Sequence, residues 1–195
     1  MAIDTGLAIT CADLQATGGI KRILIRAWTD TDIVAYGAAG AHTITSILSA
    51  ATTEADWGVY EFKNETPALT ISATKEMGST AFECGLSFFL PKLEYLKFNI
   101  IESITNSCLM VIAVDTNDNA FVLGVSEKYE NESVSSRNQT FAQLATVEGG
   151  TGAAYSDESG ITISLMARQF EMPRQYVPSA TGITVAADGL TATTD

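Results

Sequence analysis

Thr80-Ala81-Phe82-Glu83-Cys84-Gly85-Leu86-Ser87-Phe88 alternates without a break. Phe82, Cys84, Leu86 and Phe88 fall on one side; Glu83, Gly85 and Ser87 fall on the other. Successive side chains of a strand point to opposite faces, so this stretch predicts a strand with one buried and one polar face. Antiparallel sheets tolerate that arrangement, because one of their faces can meet water.

The same pattern extends outward from it. Upstream, Leu69 to Thr74 sets Leu69, Ile71 and Ala73 against Thr70, Ser72 and Thr74. Trp57 to Lys63 sets Trp57, Val59 and Glu61 against Tyr60 and Phe62, and His42 to Leu48 is rich in β-branched residues. Ile20 to Trp28 places Ile23, Ile25 and Ala27 on one face and Arg22, Leu24 and Arg26 on the other, and Thr29 to Asp32 closes it. Downstream, Leu109 to Val114 is continuously apolar. Thr116-Asn117-Asp118-Asn119 supplies turn chemistry, and Phe121 to Val125 returns as the second strand of a hairpin. Ile161, Ile163 and Leu165 share one face of a later strand.

One helix is expected over residues 91–106. Pro91 suits a first helical position, where its missing N–H has no helical partner. Leu93, Leu96, Ile100 and Ile104 form its apolar stripe, widened by Ile101, and Asn106 ends it. Burying that stripe contributes roughly 1.5–3 kcal/mol per side chain. Residues 127–160 are polar and predict a long loop or a projecting hairpin. Residues 1–19 read as an N-terminal arm, 20–177 as a single β domain and 178–195 as a C-terminal arm. The expected fold is mainly β (α+β): an antiparallel β-sandwich or rolled sheet with one flanking α-helix.

Composition narrows the function. The 195 residues carry 11 Lys and Arg against 23 Asp and Glu, a formal net charge of −12. Holding nucleic acid requires clustered cations, so the chain is expected to repel DNA, although a like-charged wall suits a channel that passes DNA. Charged residues are only 17% of the chain, below the ~25% usual for soluble domains. That shortage points to surface covered by other protein. Cys11, Cys84 and Cys108 are odd in number and widely spaced, which predicts reduced, mostly buried thiols. No basic-plus-apolar leader and no long apolar run is present, so synthesis in the cytoplasm without a membrane span is expected. The glycosylation sequons at Asn64, Asn131 and Asn138 are then chance matches.

Each chemical motif is outweighed by a plainer reading. Asp115-Thr116-Asn117-Asp118-Asn119 opens like a calcium loop, but Ala120 stands where glycine is needed and Ser126 where a bidentate glutamate is needed. A hairpin turn is the expected role. Gly149-Gly150-Thr151-Gly152 lacks the lysine and helix of a phosphate cradle and reads as a glycine turn. His42, the only histidine, lies on a strand edge with no fixed partner for nucleophilic catalysis. Trp28 and Trp57, the only tryptophans, are few for a carbohydrate platform. Lys21, Arg22 and Arg26 concentrate positive charge on one strand, as edge protection or as partners for another subunit's acids. No catalytic, cofactor-binding or metal residue is expected, and the chain is not expected to be an enzyme.

Several pieces in order carry a resemblance. Ile9-Thr10-Cys11 precedes Gly18-Gly19-Ile20-Lys21, and Tyr60-Glu61-Phe62 precedes the strand through Phe82. After the helix come Val111-Ile112-Ala113-Val114-Asp115 and the turn to Asn119, then Phe121-Val122-Leu123-Gly124. Last come Gly150-Thr151-Gly152, Asp157 and Gly160-Ile161-Thr162-Ile163-Ser164-Leu165. This order, over roughly residues 8–177, resembles the tail-tube (major tail) proteins of tailed bacteriophages. The chain departs from that pattern at Met166-Ala167-Arg168 and Glu171-Met172-Pro173, where the family has Thr-Gly and Pro-Ala segments.

The resemblance implies a virion structural protein whose subunits form hexameric rings, with sheets joined into an inner β-barrel. The rings stack through loops and arms, and the lumen conducts genomic DNA without binding it specifically. It implies partners in other copies of the chain and in other virion tail proteins, with no membrane and no cofactor. A head–tail connector, a capsid decoration subunit and, more distantly, a β-sandwich binding module or hydrolase are the competing readings.

Overall fold

Leu109 to Val114 is apolar at every position because both of its faces are covered. In the computed structural model, Leu109, Val111 and Ala113 join one buried cluster, while Met110, Ile112 and Val114 join a second. The structure describes residues 18–29, 32–38, 41–49, 53–62, 66–76, 79–127, 140–154, 158–178, 182–187 and 190–194. Cys11, most of the N-terminal arm, the three sequons and Asp157 lie outside them.

The chain runs β1 (Ile20–Ala27), β2 (Asp32–Tyr36), β3 (Thr43–Ser49), β4 (Thr53–Glu61), β5 (Ala68–Glu76) and β6 (Ser79–Pro91). Helix α1 (Tyr95–Thr105) follows, then β7 (Leu109–Asp115), β8 (Ala120–Leu123), β9 (Ala142–Gly150) and β10 (Gly160–Gln169). Three short strands close it: β11 (Arg174–Tyr176), β12 (Ile183–Val185) and β13 (Thr191–Thr194). The fold is mainly β with one helix, as the alternation implies. All strands belong to one curled sheet, antiparallel except where β11 runs parallel to β3.

The pairings trace a closed circuit from β1 through β4, β3, β11, β8 and β7 back to β1. Leu24, Ile44, Ile47, Trp57 and Ile112 fill the cluster on one side of this circuit. A four-stranded layer, β9-β10-β6-β5, continues from β7 through the Leu109–Ala142 pair. Its inward side chains Leu86, Phe88, Ile163 and Leu165 share a cluster with Ile23, Ile25 and Val111. Strand β1 therefore buries Leu24 on one face and Ile23 and Ile25 on the other, which explains its mixed pattern.

Four sequence expectations are corrected. First, Pro91 ends β6 opposite Gly160 instead of starting the helix. Lys92 then takes φ 65°, which turns the chain, and Glu94 occupies the N-cap of α1. Second, the helix rotates its stripe: Ile104 is buried and Leu93 and Ile101 pack on the core, whereas Leu96 and Ile100 are exposed with Tyr95 and Phe98. Third, of the two readings of segment 127–160 the loop is set aside for its second half: 142–150 is strand β9, hydrogen-bonded along β10 as a hairpin. Residues 128–139 lie outside the described residues. Fourth, the C-terminal residues 183–185 and 191–194 do not extend away as an arm. β13 pairs with β4, and Thr194 accepts a 2.9 Å hydrogen bond from the Trp57 indole. Short strands such as β12 have too few residues to show a period.

Candidate assembly surface

The outer face of the β9-β10-β6-β5 layer follows from register. Opposed residues share a face, so Thr70, Gly85 and Met166 form one row, and Ser72, Glu83 and Arg168 the next. Ser87 and Ser164 continue the face, and Thr146 and Glu148 carry it onto β9. Small hydroxyl side chains dominate it. They bind back to the sheet: Thr70 Oγ1 donates to Gly85 O at 3.2 Å and Ser72 Oγ to Glu83 O at 3.4 Å. A Cβ at Gly85 would lie 2.8 Å from Thr70 Oγ1, so glycine keeps the row flat. The face forms a shallow concavity of about 310 Å³. Its arginine, Arg168, lies 3.4 Å from Glu83.

The two sides of this layer are open among the described residues. Strand β5 pairs only with β6. Strand β9 pairs with β10 along its length but with β7 only at Ala142, so Gln143 to Gly150 has no strand partner on that side.

The residues singled out by sequence serve structure within the subunit. Lys21 pairs with Asp118, Arg22 with Glu61 at 2.8 Å, and Arg26 with Asp32 at 2.5 Å. Strand β1 is interior, bonded by β4 and β7, so these cations do not guard an edge, and each already has an acid within the chain. Asp115 Oδ1 accepts the Asn117 and Asn119 amides at 2.9 and 2.7 Å, which makes the calcium-like sequence a hairpin turn. Burial alone would raise its carboxyl, but the bonds from Asn119 and Asn117 hold it below the usual range. Gly149 and Gly150 lie at the end of β9. His42 Nε2 sits 2.8 Å from Met172 O. Cys84 is buried, which pushes its thiol up to about 11, while Cys108 is exposed. No group of metal-binding side chains is found among the described residues.

One cluster escaped the sequence reading. Arg174, nearly buried, contacts Glu127 at 2.5 Å and Glu171 at 2.9 Å, and its guanidinium stacks 5.0 Å from the Tyr36 ring centre. Glu171 Oε1 also accepts the Glu127 N–H at 2.7 Å. The cluster ties β11 to β2 and to the segment after β8. Only the three-residue spacing of Glu171 and Arg174 hinted at it.

The geometry thus defines a class: a mainly β protein that pairs most of its described cations with its own acids and carries a four-stranded layer with a hydroxyl-rich bare face and an open edge on each side among the described residues. No protein-family model, no curated protein and no solved structure matches the chain.

Proposed function

We propose that this chain is a structural subunit that polymerises with itself, a tail-tube subunit of a bacteriophage virion, forming stacked six-fold rings around a DNA conduit. The observation that carries this reading is the β9-β10-β6-β5 layer, apolar on its core face and hydroxyl-rich on its bare face. A wall past which DNA slides must stay hydrated without capturing phosphates. Hydroxyl groups hold water, and Arg168 is already paired with Glu83.

The sequence suggested a lumen dominated by Asp and Glu. On this face Glu83, Glu148 and Arg168 stand among hydroxyl side chains, Gly85, Met166 and Phe89, so the proposed wall is nearly neutral and the net charge of −12 sits mostly elsewhere. Negative-stain imaging of the purified protein tests the reading. Stacked hollow tubes or six-fold rings support it. Trimers point to a decoration subunit, isolated rings of another symmetry to a connector, and monomers at every concentration to a binding module or hydrolase.

A further inference from the structure

We infer that strand β5 of a second copy adds to the open edge of β9 and seats Ile71 in the groove between β9 and α1, Leu69 packing against its own core. This rests on the proposed self-assembly and names the contact that would produce it. The groove, about 550 Å³, is walled by Leu93, Phe98 and Ile101 on one side and by Val147, Gly149 and Ile161 on the other. Phe98 is 50% exposed and Val147 40% exposed, so among the described residues apolar surface lies uncovered beside backbone with no strand partner. That combination is a template for an added strand.

Strand β5 has the matching pattern. Its core-facing residues are Leu69, Ile71 and Ala73, opposite Leu86, Cys84 and Phe82 of β6. Ile71 is 41% exposed. Its other face carries Thr70, Ser72 and Thr74, which would extend the hydroxyl face of the next copy without interruption. Direction matches as well. Each of the three pairings within β9-β10-β6-β5 is antiparallel, so β5 runs opposite to β9. Rotating a copy about a ring axis preserves strand direction, so β5 meets the neighbour's β9 antiparallel with the core faces aligned. The contact is head-to-tail, joins different patches and closes as a ring.

Register is constrained too. Rows carried straight across place Leu69 opposite Leu144 and Ile71 opposite Ala142. Barrel closure staggers neighbouring strands. A stagger of two core-facing rows toward Gly150 brings Ile71 beside Val147.

Disulfide trapping tests the contact, since opposed antiparallel residues lie within bridging distance. In chains carrying Cys11→Ser, Cys84→Ala and Cys108→Ser, which removes the native thiol opposite Ile71, the Ile71→Cys variant is mixed with Leu144→Cys or Val147→Cys and oxidised. A linked dimer in at least one mixture, absent from each variant alone, is the expected result. Rings or tubes under the microscope with no link in either mixture overturn the contact but leave self-assembly standing. Neither particles nor links at any concentration overturns both. Phe98→Asp supplies a second readout at an exposed position: an unchanged unfolding midpoint with loss of assembly is expected, and normal assembly contradicts the inference.

Discussion

The Arg26 guanidinium meets the Asp32 carboxylate at 2.5 Å, with both side chains almost shut off from solvent. Asp32 Oδ2 also accepts the Thr29 N–H at 2.8 Å, and Arg26 donates to Ser49 Oγ at 3.0 Å. The pair fixes the turn from β1 into β2 and holds it against β3. Asp32→Ala leaves a buried guanidinium without its counter-charge, and such losses cost about 3–5 kcal/mol. Urea denaturation of the purified variant is expected to show that drop, whereas a change no larger than that of an exposed substitution would mean the pair is dispensable.

The rotated helix stripe separates two aspartate substitutions. Ile104→Asp puts a charge into the cluster with Leu109 and Ile161 and is expected to cost about 3 kcal/mol or more. Leu96→Asp faces water and should change subunit stability by no more than about 0.5 kcal/mol. Thermal unfolding of the two proteins side by side checks the order. The reverse order would restore the stripe read from sequence.

The final strand is expected to behave as core. Thr194→Val removes the acceptor of the Trp57 indole N–H and a donor to Ile47 O. Leaving a buried donor unpaired costs about 1–3 kcal/mol. Removing residues 190–195 should further expose Trp57 and shift its fluorescence to longer wavelength. An unshifted spectrum would show that β13 does not cover the indole.

Glu171 gives a pH signature. Burial alone would raise its carboxyl, but the hydrogen bonds and charge of Arg174, with the Glu127 N–H, hold it below the ordinary carboxylate value. A carboxyl depressed in the folded state adds stability above its unfolded pKa, about 4.3, and loses it as pH falls through the folded value. The stability gap between the parent and Glu171→Gln should therefore be full at pH 7 and narrow below about pH 4. Denaturation curves at several pH values measure it. A gap that widens on acidification would reverse the sign.

What was legible in the sequence follows from how each element is buried. Strand β6 has one apolar and one polar face, so its period of two reads directly. The hairpin β7-β8 was legible through Asp115 to Asn119, whose local hydrogen bonds need no tertiary context. The helix was located but misaligned. Pro91 is equally at home ending an edge of β6, and spacings of three and four residues allow two faces from one set of apolar positions. The chosen face depends on β9, itself hidden because Gln143 to Gly150 is mostly exposed. Arg26–Asp32 and Arg174–Glu127 were invisible because burial, not spacing, gives those charges their roles. The bare sheet face was half legible: the hydroxyl residues stood out on single strands, but their alignment into rows requires the register.

The central claim is self-assembly with the β9-β10-β6-β5 layer as the inner wall. A cryo-electron microscopy reconstruction of the assembled protein measures it most directly. The account predicts a hollow six-fold tube with Thr70, Ser72, Ser87 and Ser164 facing the lumen and α1 away from it. A particle with that face turned outward or covered by a neighbour, or a protein that stays monomeric at every concentration and salt, would contradict it.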